Sequence, residues 1–229
     1  MSSLSIVIPV LDEAPRLGDL LRELQPLRRA GVELVVVDGG SRDGTPQNAM
    51  PLADRVIDAP RGRARQMNAG AAASRGDILL FLHADTVLPP GGAAAVMAAI
   101  DGGARWGRFD VRIAGQAPLL RIVARMMNWR SRLSGIATGD QAIFVRRELF
   151  ERVGSYPDLP LMEDIRLSAN LKRLAPPACL REQVTTSGRR WEQHGVLRTI
   201  LLMWWLRAAF FFGASPAWLA RLYGYRPAP

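Results

Sequence analysis

Hydrophobic residues along the chain form short continuous runs, and these alternate with longer segments in which leucine or alanine recurs at helical spacing. Short continuous runs are typical of strands buried on both faces of a sheet, whereas recurrence every three or four residues is typical of helices. Strands and helices that alternate in this way predict βαβ units and a mostly parallel sheet. In the first half of the chain, strands are predicted over residues 4–11, 33–37, 55–58 and 78–82, and helices over residues 16–27, from Pro46 onward and over residues 61–74.

The pattern becomes more mixed after Pro89. Alternating polar and apolar residues predict a half-exposed strand over residues 106–113, and a strongly apolar segment predicts a last helix over residues 195–212. Residues from Tyr223 onward are expected to fray. Further helices are predicted over residues 91–100, 119–133, 147–153 and 165–174, with a strand over residues 141–145. The length and pattern together predict a single α/β domain.

Acidic residues stand where the predicted strands end. Asp12 and Glu13 follow the first strand, Asp38 ends the second, and Asp85 follows the fourth. Because ligands of open α/β sheets bind outside the carboxyl ends of the strands, we expect these side chains to converge on one crevice. Asp85, with the imidazole of His83 close by in the sequence, indicates a site for a hard cation or for a hydroxyl group.

Some of these residues also have plain structural explanations. Asp85 stands before Thr86 in a segment with ordinary turn chemistry, so it could cap the next turn. Asp164 stands at the start of a predicted helix and could do no more than complement the helix dipole. His194 is one of two histidines in the chain. Its alternative is a purely structural role, which is the usual role of an isolated histidine.

The residues around the first two strands indicate a nucleotide site of a particular kind. Asp38 follows a valine-rich strand, as does the acidic residue that binds ribose in dinucleotide enzymes. The first strand, however, leads through Pro9 into Asp12 and Glu13, and not into a Gly-x-Gly-x-x-Gly turn. We therefore expect Asp38 to bind a nucleotide in a different arrangement.

Two arginine clusters indicate anion binding. Arg63 stands between two other arginines at the start of a predicted helix, where free backbone amides add to an anion site, although a solvated basic turn is the alternative. Arg189 and Arg190 precede Trp191, and such a group can hold a diphosphate or stack on a base or sugar ring.

The chain as a whole is basic, with a net charge of +9 and a pI near 11.1. Lys172 is the only lysine, so the positive charge is almost entirely arginine, which contacts phosphate in a bidentate manner. Such a charge suits nucleic acid, an anionic membrane surface or a phosphorylated substrate, with a purely compositional bias as the alternative. Because carboxylates in the predicted crevice repel phosphate unless a metal intervenes, we do not expect a nucleic-acid partner.

The single cysteine, Cys179, excludes a disulfide framework and indicates a reducing compartment, so a cytoplasmic location is expected. The first apolar run has no basic flank and is interrupted by Pro9, so it does not have the pattern of a signal peptide.

The ordered motifs resemble those of the family-2 inverting glycosyltransferases, which have the nucleotide-sugar-binding GT-A fold. The resemblance extends over residues 4 to about 195. Within the family, the chain is similar to a short bacterial subgroup labelled as arsenosugar-biosynthesis transferases. The matching stretches are residues 5–13, 36–45, 62–70, 82–85, 139–141 and 162–164.

The resemblance implies metal-assisted transfer of one sugar from a nucleotide-diphosphate sugar, UDP more than GDP, to an acceptor hydroxyl. Asp85 matches the last acidic position of the family's Asp-x-Asp motif and would hold Mn²⁺ or Mg²⁺ together with the donor diphosphate. His83 replaces the first acid of that motif and is taken as a second metal ligand. Asp164 matches the catalytic base, and Glu163 is the second choice. The implied donor-binding residues are Pro9, Asp12, Glu13, Asp38, Gly40, Ser41, Arg63, Asn68, His83, Ala84, Asp85 and Arg190.

The resemblance also divides the chain by role. Residues 1–105 would form the nucleotide-binding half, residues 106–195 the acceptor half, and residues 196–229 the C-terminal apolar helix and tail. Asp38 would accept a hydrogen bond from the uracil or guanine ring. The arginines beside Trp191 match the Gln-x-x-Arg-Trp signature of processive enzymes only in part, which favours a single transfer.

The acceptor is expected to be a small molecule or a lipid-linked one. The longest apolar run of the last predicted helix, residues 200–206, is too short to span a membrane, which takes about 20 residues. That helix either packs on the sheet or lies in the membrane interface, which would give peripheral contact at the inner face of the membrane. A nucleotidyltransferase and a non-catalytic nucleotide-binding module are the alternative functions.

Overall fold

The computed structural model describes residues 2–225, which form one eight-stranded sheet with helices on both faces. The strands are β1 (Leu4–Val10), β2 (Glu33–Asp38), β3 (Arg55–Asp58), β4 (Ile78–Phe81), β5 (Thr86–Val87), β6 (Trp106–Ala114), β7 (Phe144–Arg146) and β8 (Ala178–Ser187). The helices are α1 (Ala14–Arg29), α2 (Thr45–Ala49), α3 (Arg63–Ala73), α4 (Gly92–Asp101), α5 (Leu119–Ser134), α6 (Arg147–Arg152), α7 (Glu163–Lys172), α8 (Arg189–His194), α9 (Val196–Phe211) and α10 (Pro216–Leu222).

The order of the strands places many loops at one edge of the sheet. The order is β3-β2-β1-β4-β7-β6-β8-β5. Strands β1 to β4 are mutually parallel, β7 runs antiparallel to both β4 and β6, and β8 is parallel to β6. The carboxyl ends of β1, β2, β4, β6 and β8 therefore share an edge with the start of β7. The mostly parallel, mixed α/β sheet that the sequence predicts is confirmed.

Two apolar layers hold the helices against this sheet. In β1, Ile6 and Ile8 belong to the layer beneath α1 and α4, whereas Val7 belongs to the layer beneath α3 and α7. Gly70 lets α3 approach closely, because a Cβ atom there would lie 2.4 Å from Val7 Cγ1 and 2.8 Å from Val37 Cγ2. This close packing fixes the start of α3 at the functional edge of the sheet.

Several elements differ from the sequence prediction. The strand expected over residues 141–145 begins only at Phe144, because Gly139–Gln141 form a 3₁₀ turn and Ala142 has a φ of 46°. Strands β5 and β8 and helices α8 and α10 were not predicted. Tyr223, where fraying was expected, is packed against Arg190, and residues 226–229 lie outside the described part of the chain.

The last apolar helix lies mainly outside the two layers that cover the sheet. Only Thr199 and Leu206 of α9 are buried, and the helix packs against α5, α8, α10 and the segment before α7, while Val196 and Ile200 pack against a small cluster that includes Ile113 of β6. Its place in a membrane interface stays a prediction. Among the residues described, no helix is both long and apolar enough to cross a membrane.

Candidate active site

The ends of β1 and β2 are joined by a buried side chain. Gln66 of α3 donates from Nε2 to the carbonyls of Val10, at 2.8 Å, and Val37, at 2.9 Å. Gly39 lies against this amide, since a Cβ atom at Gly39 would be 3.0 Å from it. The sequence reasoning gave Gln66 no specific role, although a glutamine on the apolar face of a helix that packs on a sheet is a signal for such a bridge.

The predicted base-pocket residues form one network at this point. Asp38 accepts hydrogen bonds from the backbone N–H groups of Gly40 and Ser41, both at 2.8 Å, and from the Ser41 hydroxyl. The Ser41 hydroxyl accepts from the Asp12 N–H at 2.9 Å, and Asp12 accepts from the Arg42 N–H at 2.8 Å. Asp38 is 2% exposed, so in this structure it orders the loop, and its contact with a nucleobase stays a prediction.

A second group of charges lies where β4 and β8 end. Asp85 is half-buried, and its carbonyl accepts from the Ser187 N–H at 3.1 Å. Arg189 Nη2 lies 3.9 Å from Glu13 Oε1. Burial raises the pKa of Glu13, the charge of Arg189 opposes this rise, and the negative charge of Asp85 adds to it. Pro9 and Ala84 complete the same edge as buried strand-end residues.

Asp85 is the carboxylate at this edge of the sheet that is expected to hold a metal. Within residues 2–225, no three histidine, cysteine, aspartate or glutamate side chains are grouped so as to hold a metal ion. One half-buried carboxylate at the sheet edge fits a cation that takes its other ligands from a substrate diphosphate, as Mg²⁺ usually does.

His83 has partners of its own beside the expected metal site, and its role as a metal ligand stays a prediction. Its Nδ1 lies 3.6 Å from Asp140 Oδ1, and its opposite edge packs against Gly139. Burial lowers the pKa of His83, but Asp140 and, more weakly, Asp85 outweigh burial and raise it overall.

Gly139 joins His83 to Asp164. A Cβ atom at Gly139 would lie 2.4 Å from His83 Cε1 and 2.6 Å from Nε2, so only glycine admits the ring in this position. The Gly139 N–H donates to Asp164 Oδ2 at 2.7 Å. Residues 139–141 belong to a motif that the sequence shows, but the contacts of Gly139 and Asp140 depend on the fold.

Asp164 stands in the first turn of α7, after Met162 in the left-handed conformation with a φ of 68°. Its Oδ1 accepts from the Ile165 N–H at 2.7 Å. Burial and the neighbouring charge of Glu163 raise the pKa of Asp164 to about 6. Glu163 is 3% exposed, and its Oε1 lies 3.2 Å from Arg63 Nε, which raises the pKa of the guanidinium. The two adjacent carboxylates therefore differ, because Glu163 is held in an ion pair.

Asp164 lines a cavity of about 350 Å³. Arg63, His83 and Asp140 line the same cavity from the sheet edge, and residues of α5, α8 and α9 line it from the other side. These include two arginines, Arg130 and Arg207, in an otherwise mainly apolar wall. Its apolar members are Val123, Met126, Met127, Trp129, Leu161, Met162, Ile165, Trp191, Ile200, Met203 and Trp204.

The family model described as Glycosyl transferase family 2 matches residues 5–154. The chain belongs to this family. The match ends before Asp164, and it includes the loops of β1, β2 and β4 that form the acidic edge.

Curated relatives and solved structures agree with this assignment. The chain is 33% identical over 97 residues to glucosyl-3-phosphoglycerate synthase of Mycolicibacterium paratuberculosis, covering 38% of this chain and 30% of that protein. It is 31% identical over 160 residues to undecaprenyl-phosphate 4-deoxy-4-formamido-L-arabinose transferase of Pseudomonas fluorescens, covering 62% of this chain and 45% of that protein. The chain thus spans less than half the length of these relatives.

The fold is shared with two enzymes solved with nucleotides and metal. Glucosyl-3-phosphoglycerate synthase from Mycobacterium tuberculosis, in complex with Mn²⁺, UDP and glucosyl-3-phosphoglycerate, superposes with a TM-score of 0.60 at 20% identity, covering 80% of this chain and 70% of that one. A mannosyltransferase from Pyrobaculum calidifontis, in complex with GDP-Man and Mn²⁺, superposes with a TM-score of 0.61 at 23% identity, covering 80% of this chain and 56% of that one.

Two residues assigned to the donor site have partners within the chain. The Asn68 amide donates to the Tyr156 carbonyl at 2.8 Å and accepts from the Tyr156 N–H at 3.0 Å, so it anchors that loop. The Arg190 guanidinium lies 3.6 Å from the centre of the Tyr223 ring and donates to the Tyr223 carbonyl. These contacts hold segments of the chain together, and donor binding by Asn68 and Arg190 stays a prediction. Arg189, beside Glu13, is the arginine of this pair that reaches the acidic edge.

Proposed function

We propose that this glycosyltransferase moves one sugar from a nucleotide-diphosphate sugar to an acceptor hydroxyl, with inversion at the anomeric carbon and Asp164 as the general base. The observation that carries the proposal is the Asp164 carboxylate, with a raised pKa, in a cavity that is also lined by His83, which follows β4, and by Asp140. The UDP and GDP-Man complexes of the structural neighbours support a nucleotide-sugar donor. The preference for UDP and membership of the arsenosugar subgroup stay predictions.

The reaction is a single displacement. The acceptor oxygen forms a bond to the anomeric carbon, the bond from that carbon to the diphosphate breaks, and the nucleoside diphosphate leaves. The acceptor proton passes to Asp164, which needs to lie within about 3 Å of the hydroxyl when substrate is bound. With a pKa of about 6, Asp164 is ionised at neutral pH and still basic enough to accept this proton.

The divalent cation of the proposal, Mn²⁺ or Mg²⁺, is assigned to Asp85. When bound, it neutralises charge that develops on the leaving diphosphate. The loop residues Asp12, Asp38 and Ser41 shape the adjacent edge for the nucleoside, and Arg189 adds positive charge near the expected diphosphate position.

The proposed setting is the cytoplasm, at the inner face of the membrane. Exposed apolar residues on α5, α9 and α10 support peripheral contact. The printed names of the relatives include undecaprenyl phosphate and phosphoglycerate, which supports an acceptor that is either lipid-linked or small.

Substitution of each adjacent carboxylate tests the base. Asp164→Asn is nearly isosteric and should reduce kcat roughly 100- to 10,000-fold, because a general base typically contributes that factor. Donor affinity should change little, since the donor loops and Asp85 are intact. Glu163→Gln is the matched control and should lose far less. If Glu163→Gln is the more damaging change, the base is the other carboxylate, and if neither reduces kcat, the base mechanism is wrong.

A further inference from the structure

The cavity beside Asp164 contains two arginines that form no ion pair within the described part of the chain. Within the described chain, Arg130 has buried Nε and Nη2 atoms, and Arg207 a buried Nε atom, that make no hydrogen bond. Neither guanidinium forms an ion pair among residues 2–225. Buried donors of a charged group are rarely left unpaired, so these two arginines indicate a missing anionic ligand.

The acidic residues nearby are not paired with these two arginines. Glu163 is paired with Arg63 through Oε1, although its buried Oε2 makes no hydrogen bond, and Asp140 lies beside His83. Each oxygen of Asp164 accepts a backbone N–H. Asp164 acts on Arg130 only through its charge, which opposes the effect of burial on the pKa of Arg130. The cavity therefore offers two arginine donor groups to a ligand from outside the chain.

The wall around the two arginines is apolar and continues onto the surface. Arg130 lies on α5 and Arg207 on α9, and methionine, isoleucine and tryptophan side chains of these helices line the cavity between them. Trp129 and Leu201, on the same helices, are 67% and 66% exposed. A ligand that satisfies both features has an anionic head and a hydrocarbon chain.

We propose that the acceptor is an amphiphilic phosphate ester, whose phosphate binds Arg130 and Arg207 and whose chain lies along the apolar faces of α5 and α9. This rests on the proposed function, which requires a free hydroxyl on the head group within reach of Asp164. Arginine suits the phosphate because its planar fork forms paired hydrogen bonds with phosphate oxygens. A dodecyl phosphoglycerol has all three features.

Equilibrium binding tests the proposal without any need for turnover. Dodecyl phosphoglycerol is titrated below its critical micelle concentration into the whole protein, beside glycerol 3-phosphate, which lacks the chain, and dodecyl glycerol ether, which lacks the phosphate. We expect the first to bind most tightly. Arg130→Gln and Arg207→Gln should each weaken its binding roughly 10- to 100-fold, as for the loss of a charged hydrogen-bond donor.

Controls separate a local effect from a fold effect. Arg125→Gln on α5 and Arg198→Gln on α9 remove exposed arginines from the same helices and should leave binding within twofold. Arg130→Lys keeps the charge without the fork and should bind with intermediate affinity. Arg130→Gln and Arg207→Gln with unchanged affinity would overturn the proposal, as would equal binding of glycerol 3-phosphate or of the uncharged ether. Nucleoside diphosphate release by the wild type, assayed separately, shows whether the proposed function itself fails.

Discussion

At the residue scale, Asp164 owes its chemistry to burial and to one neighbouring charge. Two backbone N–H groups hold its oxygens, while burial and Glu163 raise its pKa to about 6. A raised pKa keeps the carboxyl protonated, and inactive as a base, at lower pH. We therefore expect kcat/KM to fall tenfold per pH unit below about pH 6.

Glu163→Gln tests in which direction the acidic limb of this pH profile moves. Removing the Glu163 charge takes away a cause that raises the Asp164 pKa, and it frees Arg63, whose charge lowers that pKa. The acidic limb of kcat/KM should therefore move to lower pH. Glu148→Gln, an 80% exposed control, should leave it unchanged. A limb that stays in place or moves upward in Glu163→Gln would show that another group controls the profile.

Gly139→Ala tests whether the space between Gly139 and the His83 ring is needed. A methyl group there would overlap the His83 ring, at 2.4 Å from Cε1, so the ring or the Gly139–Gln141 turn has to move. Because the Gly139 N–H also holds Asp164, we expect Gly139→Ala to lower kcat at least about tenfold and to lower Tm. Gly18→Ala, at a half-buried position of α1 where an added Cβ atom would meet only the flexible Arg22 side chain, should be neutral or stabilising by about 0.5–1 kcal/mol. Normal kcat and Tm in Gly139→Ala would contradict this geometry.

At the scale of elements, the exposed apolar side chains are concentrated on α5, α9 and α10. Phe211 and Phe212, at the end of α9, are each 84% exposed, and exposed arginines such as Arg125 and Arg198 lie on the same helices. Apolar side chains at headgroup depth, with basic residues close by, are typical of a helix in the membrane interface.

Vesicle co-sedimentation tests this surface. We expect the protein to pellet with anionic vesicles at low salt, and less at high salt, because screening weakens the attraction of arginine to anionic lipid. Phe211→Asp with Phe212→Asp should abolish pelleting. Met50→Asp, which replaces a 63% exposed apolar residue in the other half of the chain, should not. Wild-type protein that stays in the supernatant at low salt would exclude membrane contact.

The elements that could not be predicted from the sequence are strands that depend on pairing with another strand and helices that are very short. Strand β8 has a polar, exposed middle from Arg181 to Gln183, so it shows neither a continuous nor an alternating apolar pattern. It is formed by a long parallel pairing with β6, from Gly107 to Ala114. Helices α8 and α10 have six and seven residues, too short for a clear periodicity.

At the scale of the whole molecule, the sheet topology could be predicted only in part. The parallel strands β1 to β4 follow from their apolar runs, and so does the gathering of Asp12, Asp38 and Asp85 at one edge. The antiparallel insertion of β7 could not be predicted, because it is set by packing between distant segments. That insertion brings Gly139 to the active edge, where it meets Asp164. The positions of Arg130 and Arg207 could not be predicted either, because the cavity wall to which both belong depends on how α5 packs against α9.

The central claim is that the protein releases a nucleoside diphosphate by transferring a sugar. Product analysis by liquid chromatography and mass spectrometry, with Mn²⁺, a panel of UDP- and GDP-sugars and dodecyl phosphoglycerol, tests it most directly. We predict a nucleoside diphosphate and one glycosylated acceptor, with both lost in Asp164→Asn, in Asp85→Ala and in excess chelator. Pyrophosphate as the product would show a nucleotidyltransferase instead, and undiminished nucleoside diphosphate release by Asp164→Asn would contradict the assigned base.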